Sequence, residues 1–212
     1  MRSANGKNMK RTVDIIFVLA AAPLWLPLMA VLAVIVGLSS DGGVFFTQKR
    51  FGRGKKFFHL YKFRSMYTTA PRDTPTHLLT NADAHITPVG RFLRKTSLDE
   101  LPQILNILAG DMSIVGPRPA LWNQDDLIAE RDKYGANDIP VGLTGLAQIS
   151  GRDELSIETK AARDGEYAKK MGFFFDMKII FLTAIRAISA SGVKEGVSVM
   201  KCDKNGNGGD EV

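Results

Sequence analysis

The sequence has almost no cysteine, little histidine and, over one long stretch, no charge at all. A single cysteine, Cys202, cannot close an internal disulfide, so no disulfide framework holds the fold. His59, His77 and His85 fall at no metal-ligand spacing and read as ordinary polar residues. The P-loop and the G-x-G-x-x-G turn are both missing, which removes the usual nucleotide-cradling loops. G-x-S-x-G and H-E-x-x-H are missing too, which removes the nucleophile elbow and the helical zinc site. Acids are scarce in the first third: residues 1–66 hold eleven Lys and Arg against Asp14 and Asp41, a surplus of nine. The remaining residues run three the other way. A basic block of this kind suits nucleic acid or anionic lipid.

The charge-free stretch decides between those partners. Ile15 to Leu38 is 24 residues long without a charged side chain. As a straight helix it would measure about 36 Å, enough to cross hydrocarbon. It is too long for the apolar part of a signal peptide, which is about 7–15 residues. Lys7, Lys10 and Arg11 precede it and Lys49, Arg50 and Arg53 follow it. Basic flanks favour the cytoplasmic side, and here both ends carry them. A bent insert that enters and leaves one face satisfies both, and Pro23 and Pro27 offer the bend. Prolines also occur in straight spanning helices, so the pattern alone leaves the two arrangements open.

With 212 residues the chain can form one domain with its own core. Residues 44–63 predict a β-hairpin turning at Gly52 and Gly54. A loop is expected over 67–90, helices near 89–95, over 120–135 and over 154–171, a turn, a short extended run and a stiff loop in "LAGDMSIVGPRPA", and an apolar helix over 173–188. The last could lie in the membrane interface with Lys178 and Arg186 at headgroup level, or face a core. The stretch "IPVGLTGLAQISGR" reads as irregular and the tail 201–212 as disordered. No repeat appears and no linker divides the chain.

Two adjacent carboxylates, Asp99 and Glu100, stand just ahead of an apolar run. Ser97 to Glu100 fits a capping box, with Ser97 as the N-cap. Pro102 would then be the fifth helical residue, so the helix either kinks or starts later. The chemical alternative draws on Arg94, Arg118 in "GPRP" and Arg152 in "SGRDE". A guanidinium fork matches a pair of phosphate oxygens, and a stiff loop lowers the entropy cost of aiming it. A carboxylate among such arginines can attack phosphorus, and a second can serve Mg²⁺.

"YKFRSM", "SLDELPQILNILAGDMSIVGPRP" and "PVGLTGLAQISGR" resemble the successive signatures of the bacterial sugar transferases, the monotopic phosphoglycosyl transferases, in their short form. The likeness runs from about residue 8 to residue 198. It implies an α+β, predominantly helical fold. A re-entrant membrane helix over 1–39, a small β-hairpin and amphipathic interface helices would surround a compact cytosolic domain over 40–200. It implies transfer of a sugar 1-phosphate from a UDP-sugar to polyprenyl phosphate, with release of UMP, at the cytoplasmic face of the bacterial inner membrane. Asp99 maps to the nucleophile and Glu100, with Asp99, to the Mg²⁺ site. Lys62, Arg94, Arg118 and Arg152 map to phosphate binding. Membrane lipids are expected partners, nucleic acid is not, and a homodimer is left open. An N-acetylated sugar is the favoured donor, with selectivity expected in 67–90 and 120–140. The family bends its helix at Ser-Pro where this chain has Ala22-Pro23, which removes a hydroxyl that could bond a freed carbonyl. The competing readings are a basic lipid- or nucleic-acid-binding protein without turnover, and a glycosyltransferase that would release UDP.

Overall fold

The computed structural model describes residues 4–39, 41–71, 82–151 and 155–188. Arg152, the tail 201–212 and the centre of the 67–90 loop lie outside the described residues. The apolar run belongs to two consecutive helices, α1 (Ala4–Ala20) and α2 (Ala22–Ser39), interrupted at Ala21. Pro23 has no N–H to give, and its ring crowds the turn before it. The backbone closes over the interruption with Leu24 N and Trp25 N both donating to Ala21 O, at 3.0 and 3.1 Å. The buried Trp25 indole Nε1 donates to Val18 O at 2.9 Å. An indole three residues on thus provides the side-chain donor that Ala22 lacks. Pro27 does not share in the break, because α2 runs through it.

One face of this helix pair is buried, at Asp14, Val18, Trp25, Leu32 and Val36. Spacings of four and seven place these residues on a single stripe. Val18 and Trp25 pack with Leu60, Ile107, Met112 and Val141, and Leu32 and Val36 pack with Phe63 and Leu93. The opposite faces leave Ile16, Leu19, Leu24, Leu26, Val31, Val34 and Leu38 exposed. Helix α2 is long and apolar enough to cross a membrane by length and composition. Yet the basic start of α1 is tied to the domain that follows the run. Lys10 Nζ meets Asp176 Oδ2 at 2.6 Å, and Arg11 bonds the carbonyls of Ile107 and Leu108.

Strands β1 (Phe45–Phe51) and β2 (Phe57–Phe63) form the expected antiparallel hairpin, with Phe45 opposite Phe63 and Phe51 opposite Phe57. Helix α3 (Pro88–Thr96) starts on Thr87, whose hydroxyl accepts from Gly90 N at 2.9 Å. Helix α4 (Gln103–Ala109) leads to β3 (Ser113–Val115), and α5 (Asp125–Asp132) is shorter than the 120–135 span expected. The stretch read as irregular holds β4 (Gly142–Thr144) and α6 (Leu146–Ser150). Strand β4 pairs in parallel with β3. The main chains come close enough there that a Cβ on Gly142 would lie 2.0 Å from Gly116 N. Gly142 and Gly145 of that stretch therefore serve a close backbone approach rather than a loop. Helices α7 (Ile157–Lys170) and α8 (Phe173–Ile188) complete the described chain. Helix α8 faces the core on one side and is exposed on the other. Ile179 is in the core beside Val115, Ile149 and Tyr167, while Phe174, Phe181 and Ile185 are exposed, as are Lys178 and Arg186.

Candidate active site

The capping box does not form. Ser97 has φ 58°, closes α3 as its C-cap, and makes no side-chain cap bond to the turn that follows. A left-handed residue cannot offer its side chain as an N-cap does, because N-caps are extended. Leu98–Glu100 is a short 3₁₀ turn, and the next helix begins only after Pro102, at Gln103. Pro102 is accordingly accommodated by a later helix start, one of the two outcomes its position allowed. A non-glycine residue at positive φ costs of order 1 kcal/mol and is concentrated at functional sites. Here it lies two residues before the carboxylate pair.

Three elements deliver charge to this turn. On β2, Phe58, Leu60 and Lys62 alternate onto one face. The first two pack into the core, and Lys62 reaches the turn. Lys62 Nζ is 2.8 Å from Glu100 Oε1 and 3.9 Å from Asp99 Oδ2. Arg118, in the loop after β3, brings Nη2 to 2.7 Å from Glu100 Oε1 and Nη1 to 3.4 Å from Oε2. Its side chain remains 43% exposed, so one face of the fork is open to solvent. Arg94 lies in the last turn of α3, and its charge acts on Asp99. Lys62, Arg94, Asp99, Glu100 and Arg118 therefore converge as the sequence suggested, and Arg152 lies outside the described residues.

The two carboxyls have opposite electrostatic fates. Burial pushes the Asp99 carboxyl above its ordinary value, and the Glu100 charge adds to this. Lys62, Arg94 and Arg118 pull it down without prevailing. Burial would also raise Glu100, but the charges and hydrogen bonds of Arg118 and Lys62 overcome it and hold the carboxyl well below the usual range. Glu100 is thus a fixed anion whose oxygens are engaged. Asp99, 7% exposed, is the more basic of the two. A basic, partly desolvated carboxylate beside cations is the stronger nucleophile of the pair.

The family description "Bacterial sugar transferase" matches residues 5–190. The chain belongs to the bacterial sugar transferase family. It is an enzyme of the transferase class. Among relatives, it is 42% identical over 161 residues to the uncharacterized sugar transferase EpsL of Bacillus subtilis (strain 168), covering 76% of this chain and 78% of that one. It is 38% identical over 197 residues to the UDP-glucose:undecaprenyl-phosphate glucose-1-phosphate transferase of Escherichia coli (strain K12), covering 87% of this chain and 41% of that one. It is also 38% identical over 196 residues to the undecaprenyl-phosphate galactose phosphotransferase of Salmonella typhimurium, covering 85% and 40%. This sugar transferase thus spans less than half the length of the last two.

Several supporting residues were not legible in the sequence. Asn106, fully buried, accepts from Tyr61 N at 3.0 Å and donates to His59 O at 2.8 Å, which ties α4 to the outer edge of β2. Arg131 and Asp164 form a buried pair behind the Arg118 loop. Neither belongs to a periodic pattern or a stiff loop, so nothing local marked them.

Proposed function

We propose that the chain transfers a sugar 1-phosphate from a UDP-sugar to polyprenyl phosphate at the cytoplasmic face of the membrane. The observation that carries this is the division of labour within the carboxylate pair, one oxygen-rich anion saturated by Lys62 and Arg118 and one buried, more basic neighbour. An Asp99 oxygen attacks the sugar-bearing phosphorus of the donor. The bond from that phosphorus to the bridging oxygen breaks, and UMP leaves with the electron pair. The phosphosugar is then carried as an acyl phosphate on Asp99. An oxygen of polyprenyl phosphate attacks the same phosphorus, returns Asp99 to its carboxylate form and gives polyprenyl diphosphate sugar. Lys62, Arg94 and Arg118 hold the phosphate oxygens and stabilise charge as it develops.

Among the described residues no group of three metal-ligating side chains occurs. Mg²⁺ binds to one or two carboxylates and fills its shell with phosphate oxygens and water. Asp99 and Glu100 would hold it, the latter through Oε2, whose bond from Arg118 Nη1 is long at 3.4 Å, and it would offset the negative charge of the diphosphate. The test is UMP release from UDP-sugars in the presence of polyprenyl phosphate. The relatives' names put UDP-glucose and UDP-galactose first in the panel, with N-acetylated donors beside them. EDTA should stop the release and added Mg²⁺ restore it. Release of UDP instead of UMP would replace this reaction by glycosyl transfer, and full activity in EDTA would remove the metal.

The membrane arrangement in this reading is one-sided: residues 15–38 enter and leave through the cytoplasmic leaflet. Lys10 and Arg11, before the run, bond residues of the domain after it, which supports both ends lying on one side. The uncovered apolar faces of α1, α2 and α8 would meet lipid. A cysteine at Ser3 in a Cys202→Ser background reports the side. It should resist an impermeant maleimide in intact cells and label after lysis. Labelling in intact cells would show a spanning helix.

A further inference from the structure

Four consecutive carbonyls around Arg118 are held by three distant parts of the chain, β1, β4 and α5. Pro117 O accepts from Gly142 N at 2.8 Å, and Ala120 O accepts from Phe51 N at 2.9 Å. Pro119 O accepts from Arg50 Nη1 at 3.0 Å. Arg118 O itself accepts from Arg131 Nη2 at 3.0 Å. The first two bonds are the ordinary result of neighbouring strands. The Arg131 bond needs explaining, because its donor is a guanidinium only 4% exposed.

Arg131 is paired with Asp164 of α7, which is 1% exposed. Its Nε lies 2.8 Å and its Nη2 2.6 Å from the same oxygen, Oδ2. The other oxygen, Oδ1, has no hydrogen-bond partner among the described residues. Buried ion pairs are a weak way to join two helices, and apolar residues of similar volume often do as well or better. An apolar pair could not present a fixed donor to the Arg118 carbonyl. Arg118 needs such a restraint, since its long, 43% exposed side chain must meet Glu100 at 2.7 Å. Fixing the main chain at its root removes freedom that the side chain would otherwise lose on binding.

We infer that Arg131, oriented by Asp164, is a positioning residue that anchors the main chain of Arg118 and so aims its guanidinium at Glu100 and at the phosphates received there. The part concerning phosphates rests on the reaction proposed above.

The test uses the full chain in detergent with Arg131→Met and Asp164→Leu together, so that no unpaired charge is left in the core. The thermal midpoint should stay within a few degrees of wild type. Turnover in UMP release should fall about 10–100-fold, with a smaller rise in KM for the UDP-sugar. In an Arg118→Ala background the same pair of changes should alter turnover less than about twofold, because its effect passes through Arg118. Amide exchange over residues 116–121 should quicken in the double variant. Wild-type turnover in the folded double variant overturns the inference, as does a loss that persists undiminished in the Arg118→Ala background. Should the double variant fail to fold, Arg131→Lys decides. It keeps the charge beside Asp164 but not the fork, and it should lose turnover and quicken loop exchange, whereas wild-type values of both overturn the inference. A wild type that releases no UMP from any donor ends the proposed reaction instead. The exchange comparison then decides the anchoring, and unchanged exchange over 116–121 rejects it.

Discussion

Asp99→Asn should lose UMP release by about 10³-fold or more, because the amide keeps the shape but is a far poorer nucleophile. Incubated with UDP-sugar alone, wild type should gain a phosphosugar in intact mass and the variant should gain none. Stability should move the other way. The folded-state pKa of Asp99 lies above its ordinary 3.8, so folded wild type holds this proton more tightly than the unfolded chain. The stabilisation that follows is present below the unfolded value and is lost as pH rises through the raised one. Asn carries no such loss. At pH 7 the variant should therefore melt no lower than wild type, which separates a chemical defect from a folding one. Near-normal turnover in Asp99→Asn would sink the covalent route.

Glu100→Gln should cut turnover about a hundredfold, since it removes the anion that holds Lys62 and Arg118 in place. It should also cost about 1–2 kcal/mol at pH 7, discounted for the exposure of Arg118. Its pH dependence is opposite to that of Asp99. The folded pKa of Glu100 lies well below 4.5, so its contribution is present above that value and lost as pH falls through the lowered one. Melting curves of wild type and variant should therefore differ most at neutral pH and converge on acidification. A constant gap from pH 7 to pH 3 would show that the Glu100 charge does not carry the effect.

Local periodicity and turn residues made the hairpin, α3, α7 and α8 legible. Asp99 and Glu100 stood out as an acidic pair and Arg118 by its stiff loop, whereas Lys62 and the roles of the set came from the family resemblance. Arg94, read with the loop arginines, lies in the last turn of α3. The capping box failed because Ser97 belongs to the helix before the turn, and a positive φ leaves no mark in the residue type. The short extended run expected in "LAGDMSIVGPRPA" is β3, but β4 and its pairing with β3 were hidden, because three residues are too few to show alternation and the pairing is parallel and distant in sequence. A bend at Pro23 and Pro27 was one of two arrangements the pattern left open, and Trp25 as the donor at the break was not foreseen, since an indole in an apolar run reads as one more hydrophobe. Arg131 and Asp164 lie 33 residues apart on two charged helices and acquire meaning only when α5 and α7 pack together.

The pairing of Lys10 with Asp176 also sets a clock. The partners are 166 residues apart, and at 5–20 residues per second the ribosome needs roughly 10–30 s to deliver the second after the first. During that interval the apolar run has emerged, while most of the surfaces that bury its stripe have not yet been made. The ends of a loop this long are also slow to find each other. On the one-sided membrane arrangement proposed above, a leaflet would cover these 24 uncharged residues during that interval. On that arrangement the domain would fold onto an inserted helix pair, with Asp176 of α8 then locking Lys10 in place.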